Sequence, residues 1–182
     1  MSTRDIVHIA LFAAITAALA LFPPITMPVA GVPITAQSLA PMLAGSILGA
    51  RRGGLAIVLF LVLVAAGLPL LAGGHGGIAV FFGVTGGFMF GWVGAAFLIG
   101  FLTERLWKRY NFWLALLINI AGGIGVVYAL GVPWAATVAG SPVLTALGGS
   151  AVFIPGDIVK AVVASAVAVT VKRAYPVITA RA

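Results

Sequence analysis

The sequence contains no cysteine, which excludes disulfide bonds, thiol nucleophiles and thiolate metal sites. It has only two histidines, so a metal site built from histidine is not expected either. Charge is also scarce, since 7% of the 182 residues are charged, against roughly a quarter in an ordinary soluble domain. A chain with so few charged groups cannot cover a water-soluble surface of this size.

Hydrophobic residues make up 63% of the chain, and its mean hydropathy is +1.24. A membrane-spanning helix needs about 20 mostly apolar residues, so the length allows roughly six spans with short loops. We therefore predict an all-α, polytopic membrane protein of about six transmembrane helices with ordered outer loops. Residues 1–182 are expected to form a single membrane-embedded substrate-binding domain.

The apolar runs indicate where these helices lie. They are expected at residues 6–22, 36–50, 55–71, 88–102, 112–130 and 155–173. The stretches that break the apolar runs are rich in proline or glycine and are expected to be loops. They are residues 23–35, 72–87 and 131–142, the last with the sequence GVPWAATVAGSP.

Nearly all basic residues fall on one side of such a bundle. They are Arg4, Arg51, Arg52, Arg105, Lys108, Arg109, Lys172, Arg173 and Arg181. Basic residues accumulate in cytoplasmic loops, so both termini are predicted to be cytoplasmic. The net charge of +7 then reflects membrane orientation, and nucleic-acid binding is not expected. Lys160, inside the last span, is the exception.

Lys160 shares the last apolar run with Asp157. The two residues are three positions apart, so on a helix they share a face and can pair. An ionised side chain in a membrane helix costs about 2.5 to 3.5 kcal/mol, part of which pairing recovers. A structural ion pair or a lysine that reaches the outer interface would explain them. We favour a clamp for a polar solute, since Asp157 accepts and Lys160 donates hydrogen bonds.

The glycine-rich stretch before the fourth span is a second candidate for ligand contact. Backbone at Gly86 and Gly87 can approach a ligand closely, and Thr85 adds a hydroxyl. His75 is either a ligand contact or a solvent-facing or capping residue. Gln37, at the start of the second span, can bind a ligand through its amide or cap the helix.

Small residues recur every four positions along the first helix, at Ala10, Ala14 and Ala18. Small side chains allow close contact between helices. The stripe therefore serves either internal packing or the docking of another membrane subunit. Tryptophans, by contrast, are typical anchors at the membrane interface; here they are Trp92, Trp107, Trp113 and Trp134. Trp134, on the outer side, either serves as such an anchor or helps to cover a pocket.

A succession of short motifs covers nearly the whole chain. They are GVPITAQSL at 31–39, LAG at 43–45, LGARRG at 48–53, GLP at 67–69, AGG at 72–74, GVTGG at 83–87 and IPGDIVK at 154–160. In this order they resemble the BioY family, the biotin-binding S components of energy-coupling-factor (ECF) transporters. The chain departs from the family pattern at Val84, where proline is frequent, and at Phe88, where tyrosine is frequent.

The resemblance implies six helices and an outward-facing pocket for biotin, in a prokaryotic cell (inner) membrane. Asp157 and Lys160 match the family's Asp-x-x-Lys and would hydrogen-bond the ureido ring, which carries two N–H donors and one carbonyl. The implied partners are a membrane coupling (T) subunit, which would contact the small-residue face of the first helix, and two ATPase subunits. Val84 and Phe88 imply a less rigid loop and a missing hydroxyl at the pocket.

The predicted function is therefore high-affinity biotin binding and uptake as the S component of an ATP-driven transporter, without enzyme activity or a cofactor. The alternative is a self-sufficient secondary carrier for biotin or a related vitamin, with Asp157 as a proton relay. An intramembrane hydrolase is disfavoured, because the sequence has no Gly-x-Ser-x-Gly elbow.

Overall fold

The computed structural model describes residues 1–23 and 35–178. Within these ranges the chain is helical, and its only β pairing is an isolated bridge between Leu71 and His75. The α-helices are α1 (Thr3–Ala18), α2 (Leu39–Leu48), α3 (Ala50–Ala65), α4 (Gly86–Arg105), α5 (Phe112–Ile120), α6 (Val127–Ala139), α7 (Val143–Ala151) and α8 (Ile154–Ala174). A π-helical segment, Ala121–Val126, joins α5 and α6 into one continuous helix. Short 3₁₀ turns occupy Leu19–Leu21, Ala36–Ser38, Ile78–Phe82 and Trp107–Arg109.

Several helical stretches have the length and composition of membrane spans. Four are long and apolar enough to cross a bilayer, namely Thr3–Leu21, Gly86–Arg105, Phe112–Ala139 and Ile154–Ala174. The helical stretch Ala36–Leu48 is apolar but shorter. The chain is thus an all-α, multi-pass membrane protein, as its composition predicts.

Several predicted boundaries are wrong, most of all those of the segments at residues 131–142 and 55–71. The loop expected at residues 131–142 is helical as far as Ala139, and Pro133 lies inside α6. Proline is tolerated in membrane helices, although Pro133 lacks the N–H that would bond the Ala129 carbonyl, four residues earlier. The helix expected at 55–71 is α3, which begins at Ala50 and ends at Ala65, so Arg51 and Arg52 stand in its first turn.

One predicted feature falls largely outside the described residues. Most of the proline-rich loop expected at 23–35 lies in residues 24–34, and Arg181 is also outside the described ranges.

The turn between α2 and α3 depends on a glycine. Gly49 has φ +84°, a conformation that side chains rarely adopt, and a Cβ there would collide with the Glu104 carboxylate. That carboxylate accepts a hydrogen bond from the Ala50 backbone N–H at 2.9 Å and so satisfies a free donor at the start of α3. The end of α4 is thereby held against the α2–α3 turn.

One end of the bundle, here called the basic end, combines the start of α1, the α2–α3 turn, the α4–α5 turn and the end of α8. It carries Arg4, Arg51, Arg52, Arg105, Lys108, Arg109, Lys172 and Arg173. Arg52 bonds the Asp5 carboxylate at 3.4 Å, and the Lys172 ammonium donates to the carbonyls of Trp107 and Tyr110 at 2.8 and 2.9 Å. These contacts join segments that are distant in sequence.

The opposite end, here called the neutral end, consists of residues 35–38, 66–85 and 140–153, which include no Asp, Glu, Lys or Arg. Between the two ends, α4 packs against α2, α3 and α6, while α8 packs against α2 and α5. Glycines permit the closest approaches, since a Cβ on Gly100 would collide with the Ala50 backbone. This packing brings the start of α8, the start of α2 and the π-helical segment together near the neutral end.

Candidate ligand-binding site

The acid and the base of α8 form an ion pair, as their spacing predicts. The helix begins at Ile154, with Pro155 in its first turn where a missing N–H is harmless. Asp157 Oδ1 lies 3.0 Å from Lys160 Nζ, and the two side chains are only 8% and 16% exposed. Both charges are therefore removed from the lipid surface of the helix.

Two further side chains complete the polar cluster. Lys160 Nζ donates to Ser38 Oγ at 2.7 Å, and the Tyr128 hydroxyl donates to Asp157 Oδ2 at 2.6 Å. An ammonium has three N–H donors and a carboxylate accepts several hydrogen bonds. Counting partners among residues 1–23 and 35–178, the cluster keeps one free donor on Lys160 and free lone pairs on Asp157. It can therefore both donate to and accept from a ligand.

The polar cluster lines one side of a small cavity of about 70 Å³. Aromatic rings of Phe88, Trp92 and Phe153 form much of the rest of its wall. The hydrogen bonds of the cluster therefore form away from bulk water, where electrostatic interactions are stronger.

A larger cavity of about 360 Å³ adjoins the small one, since Thr35 and Trp92 line both. Its wall is mainly apolar and includes His75 and Thr85, two residues singled out in the sequence. Together the cavities form a two-part pocket near the neutral end, in which the small part contains the polar cluster and the large part is mostly apolar. Such a pocket suits a ligand with a compact polar head and an apolar body.

Gln37 lies at this pocket, but its amide is engaged within the protein. Its Nε2 donates to the carbonyls of Thr16 and Leu70, both at 3.0 Å, and its Oε1 accepts from the Ala72 N–H at 2.8 Å. Both amide hydrogens are used, and the side chain does not cap α2. Gln37 thus ties the end of α1 to the wall of the larger cavity.

Gly86 and Gly87 occupy the first turn of α4. A Cβ on Gly86 would collide with the Phe81 carbonyl, and one on Gly87 would collide with the Trp134 side chain. Their lack of a side chain therefore allows α4 to pack against α6. Trp134 completes this contact, because its Nε1 donates to the Gly83 carbonyl at 2.9 Å.

The alanine stripe of α1 faces away from the bundle. Ala10, Ala14 and Ala18 are exposed, whereas Phe12 and Ala13 are buried. Internal packing is therefore not the role of the stripe, and its surface is free for contact with lipid or another membrane protein.

Ser38, Tyr128 and Trp92 are among the pocket residues that sequence reasoning missed. Trp92 was expected to be an interface anchor, yet it is buried and lines both cavities. Ser38 and Tyr128 each appear in the sequence as a single hydroxyl residue within or beside an apolar run, which is only a weak indication of a binding site. Trp113 is 73% exposed, as expected of an anchor.

Comparisons with known proteins agree with these observations. The BioY family model matches residues 1–177. The chain is 51% identical to a protein of Rhizobium etli named biotin transporter BioY, over the whole of both chains. It is 46% identical to the biotin transporter BioY of Rhodobacter capsulatus, with 95% of each chain covered. These relatives are named as transporters, and the chain is not an enzyme.

A solved structure has the same fold. It is described as the S-component for biotin from an ECF-type ABC transporter, and it matches with a TM-score of 0.90 and 32% identity over 95% of both chains. Family model, relatives and structure all cover nearly the complete chain. The chain belongs to the BioY family.

Proposed function

We propose that this protein is the S component for biotin of an ECF transporter, and that it binds biotin tightly in the two-part pocket. The observation that carries the proposal is the Asp157–Lys160 pair, buried beside a cavity in an otherwise apolar helix. The names of the relatives and of the structural neighbour support biotin as the ligand.

The chemistry of the pocket matches the two parts of biotin. The ureido ring offers two N–H donors and one carbonyl, and in the small cavity Asp157 can accept while the free N–H of Lys160 donates. The thioether ring and the aliphatic chain would lie against apolar groups such as Met89 and Trp92 in the larger cavity. The carboxylate of biotin would then approach His75 and Thr85, which also line the larger cavity.

The membrane arrangement follows from the charges. We place the basic end in the cytoplasm, which puts both termini there and opens the pocket to the outside of a prokaryotic cell membrane. The short helices α2 and α3 would cross the bilayer together with the four longer stretches, giving six crossings within one substrate-binding domain.

Energy for uptake would come from partners. The sequence has no Gly-x-x-x-x-Gly-Lys-Ser/Thr motif for nucleotide binding, so a T subunit and two ATPase subunits would drive transport. The exposed stripe of Ala10, Ala14 and Ala18 is a suitable surface for the T subunit, because small side chains let a partner helix approach closely.

Equilibrium titration of biotin into the detergent-purified chain tests the proposal directly. We expect tight one-to-one binding that is lost in Asp157→Asn and in Lys160→Met, while Ala10→Val, on the stripe, binds as the wild type does. Absence of binding by the wild type, or unchanged affinity in both pocket variants, would refute the assignment.

Liposomes separate the S component from the secondary carrier. The chain alone, reconstituted under an inward proton gradient, is expected not to accumulate biotin, and co-reconstitution with the coupling and ATPase subunits and ATP is expected to give uptake. Accumulation by the chain alone, abolished by Asp157→Asn, would instead favour the carrier in which Asp157 relays a proton.

A further inference from the structure

Tyr128 is the one aromatic hydroxyl bonded to the ion pair within the described residues. It donates to Asp157 Oδ2 at 2.6 Å, the short distance typical of an O–H bound to a carboxylate. Its ring stands edge-on to Phe88, with the centroids 6.0 Å apart, and it lines the small cavity. The hydroxyl is thus held against the carboxylate from the side opposite Lys160, which binds Oδ1.

The helix that carries Tyr128 touches α8 at a second point. Asn119 Nδ2 donates to Ser165 Oγ at 3.0 Å, and both residues are fully buried. Asn119 and Tyr128 are nine residues apart, which at about 100° per residue would place them on opposite sides of a regular α-helix. Yet both side chains reach α8.

The π-helical segment Ala121–Val126, which lies between these residues, resolves the conflict. A π turn closes its hydrogen bond at i+5 instead of i+4 and so absorbs about one extra residue. Asn119 and Tyr128 then behave as if eight residues apart, with an angle of about 80° between them. Their partners Ser165 and Asp157 are also eight residues apart on the antiparallel α8, so the two registers match.

Glycines fit this segment into the bundle. A Cβ on Gly122 would collide with Ile99 and one on Gly123 with Met42, whereas Gly125 has no atom within 4 Å of its Cβ position. Gly123 also lines the small cavity. The widened turn therefore lies at the pocket wall, where π segments in helices frequently mark functional sites.

From this geometry we infer that Tyr128 is a positioning residue for ligand recognition, and that the π-helical segment exists to set its register against Asp157. Tyr128 fixes the Asp157 carboxylate so that its remaining lone pairs point into the cavity and accept N–H donors of the ligand head. The inference rests on the proposed function and adds a determinant of specificity for the two N–H groups of a cyclic urea.

The first test measures the selectivity of Tyr128→Phe. Biotin and an analogue methylated on one ureido nitrogen are titrated into the wild type and the variant. Loss of one charge-assisted hydrogen bond is expected to weaken biotin binding about tenfold or more. The preference for biotin over the methylated analogue is expected to shrink, because the acceptor is no longer oriented. A merely structural role would weaken both ligands equally and leave the ratio unchanged.

The second test addresses the register with a matched pair of variants. Deletion of Gly125 removes the extra residue, so the segment can become α-helical with Tyr128 still facing Asp157, and biotin affinity is expected to stay within a few-fold of the wild type. Insertion of one alanine after Gly125 rotates Tyr128 by about 100°, and binding is expected to be lost. Gly125→Ala, which keeps the residue count, is the control.

The outcomes distinguish the inference from the proposed function. If the wild type does not bind biotin, the proposed function itself is refuted. A wild type that binds, with an unchanged affinity and selectivity in Tyr128→Phe, overturns the role of Tyr128 alone. If the deletion variant fails to fold or bind, or if the insertion variant binds normally, the π-helical segment does not set the register of Tyr128 against Asp157.

Discussion

The described residues contain two salt bridges, one near each end of the bundle. Asp5 and Arg52 are 3.4 Å apart at the basic end, with side chains 27% and 23% exposed. Asp157 and Lys160 are 3.0 Å apart near the neutral end and are less exposed. The first pair joins α1 to α3, whereas the second lies within one helix.

The two pairs differ in which segments they connect, and this difference distinguishes a pair that holds the fold together from one that can serve a ligand. Arg52 also donates to the carbonyls of Leu48 and Val177, so its guanidinium holds three segments together. The Asp157–Lys160 bond lies within α8, and the pair reaches other segments only through the hydroxyls of Ser38 and Tyr128. Its desolvation cost is higher because it is more deeply buried. On the proposed function, the buried pair beside the cavity serves ligand binding, whereas the partly exposed pair between α1 and α3 serves the architecture.

Asp157→Asn is expected to have the largest effect. It leaves the Lys160 ammonium without its counter-charge, and removal of one partner from a buried pair costs about 3 to 5 kcal/mol. We expect biotin affinity to fall at least about 100-fold, which is about 2.7 kcal/mol, together with a lower unfolding temperature. Titration calorimetry and thermal denaturation in detergent measure the two quantities.

The double variant Asp157→Asn with Lys160→Met is the control for this prediction. It removes the unpaired charge, so stability is expected to recover while affinity does not. Recovery of both in the double variant would mean that the pair is structural, and the contrast between the two ends would be lost.

Gln37→Met is expected to have the next largest effect. The amide bonds three backbone groups at the neutral end, and each buried polar group left unsatisfied costs about 1 to 3 kcal/mol. We expect an unfolding free energy lower by about 2 to 4 kcal/mol and biotin affinity reduced about tenfold, because Ala72, whose N–H the amide binds, lines the larger cavity.

Lys172→Met provides the matched comparison at the basic end. Lys172 also donates to two carbonyls, those of Trp107 and Tyr110, but water can replace it at the membrane surface. We expect a loss of about 1 kcal/mol in stability and no change in affinity. An equal loss of affinity in the two variants would show that the pocket depends on the whole bundle and not on its neutral end.

The features of the two ends that depend on local sequence pattern could be predicted from the sequence. Asp157 and Lys160 pair because their spacing is fixed within one helix, and the basic end follows from counting arginines and lysines between apolar runs. Tyr128 was missed because its position depends on the π-helical segment, which shifts the register in a way that regular helical periodicity does not reveal. The end of α6 was missed because Pro133 resembles a helix stop, while membrane packing tolerates it.

Ser38→Ala tests the edge of the polar cluster. Lys160 would lose the acceptor at 2.7 Å but keep Asp157, so about 1 kcal/mol, or a five- to tenfold loss of biotin affinity, is expected. Ser141→Ala, on the turn between α6 and α7, is the control and is expected to bind as the wild type does. If Ser38→Ala abolished binding, Ser38 itself would have to contact the ligand.

Asp5→Asn is expected to have the smallest effect, although it is chemically the same change as Asp157→Asn. The Asp5–Arg52 pair is partly exposed, and such pairs contribute about 0 to 1 kcal/mol. The asparagine oxygen can still accept from the Ser2 N–H, which Asp5 does at 2.8 Å, so the cap of α1 persists. Arg52 keeps its two carbonyl partners.

We therefore expect Asp5→Asn to lower the unfolding free energy by at most about 1 kcal/mol and to leave the biotin affinity unchanged, measured beside Asp157→Asn in one titration series. A large loss of affinity in Asp5→Asn would mean that the basic end controls the pocket through the length of the bundle, since no shared contact links the two pairs.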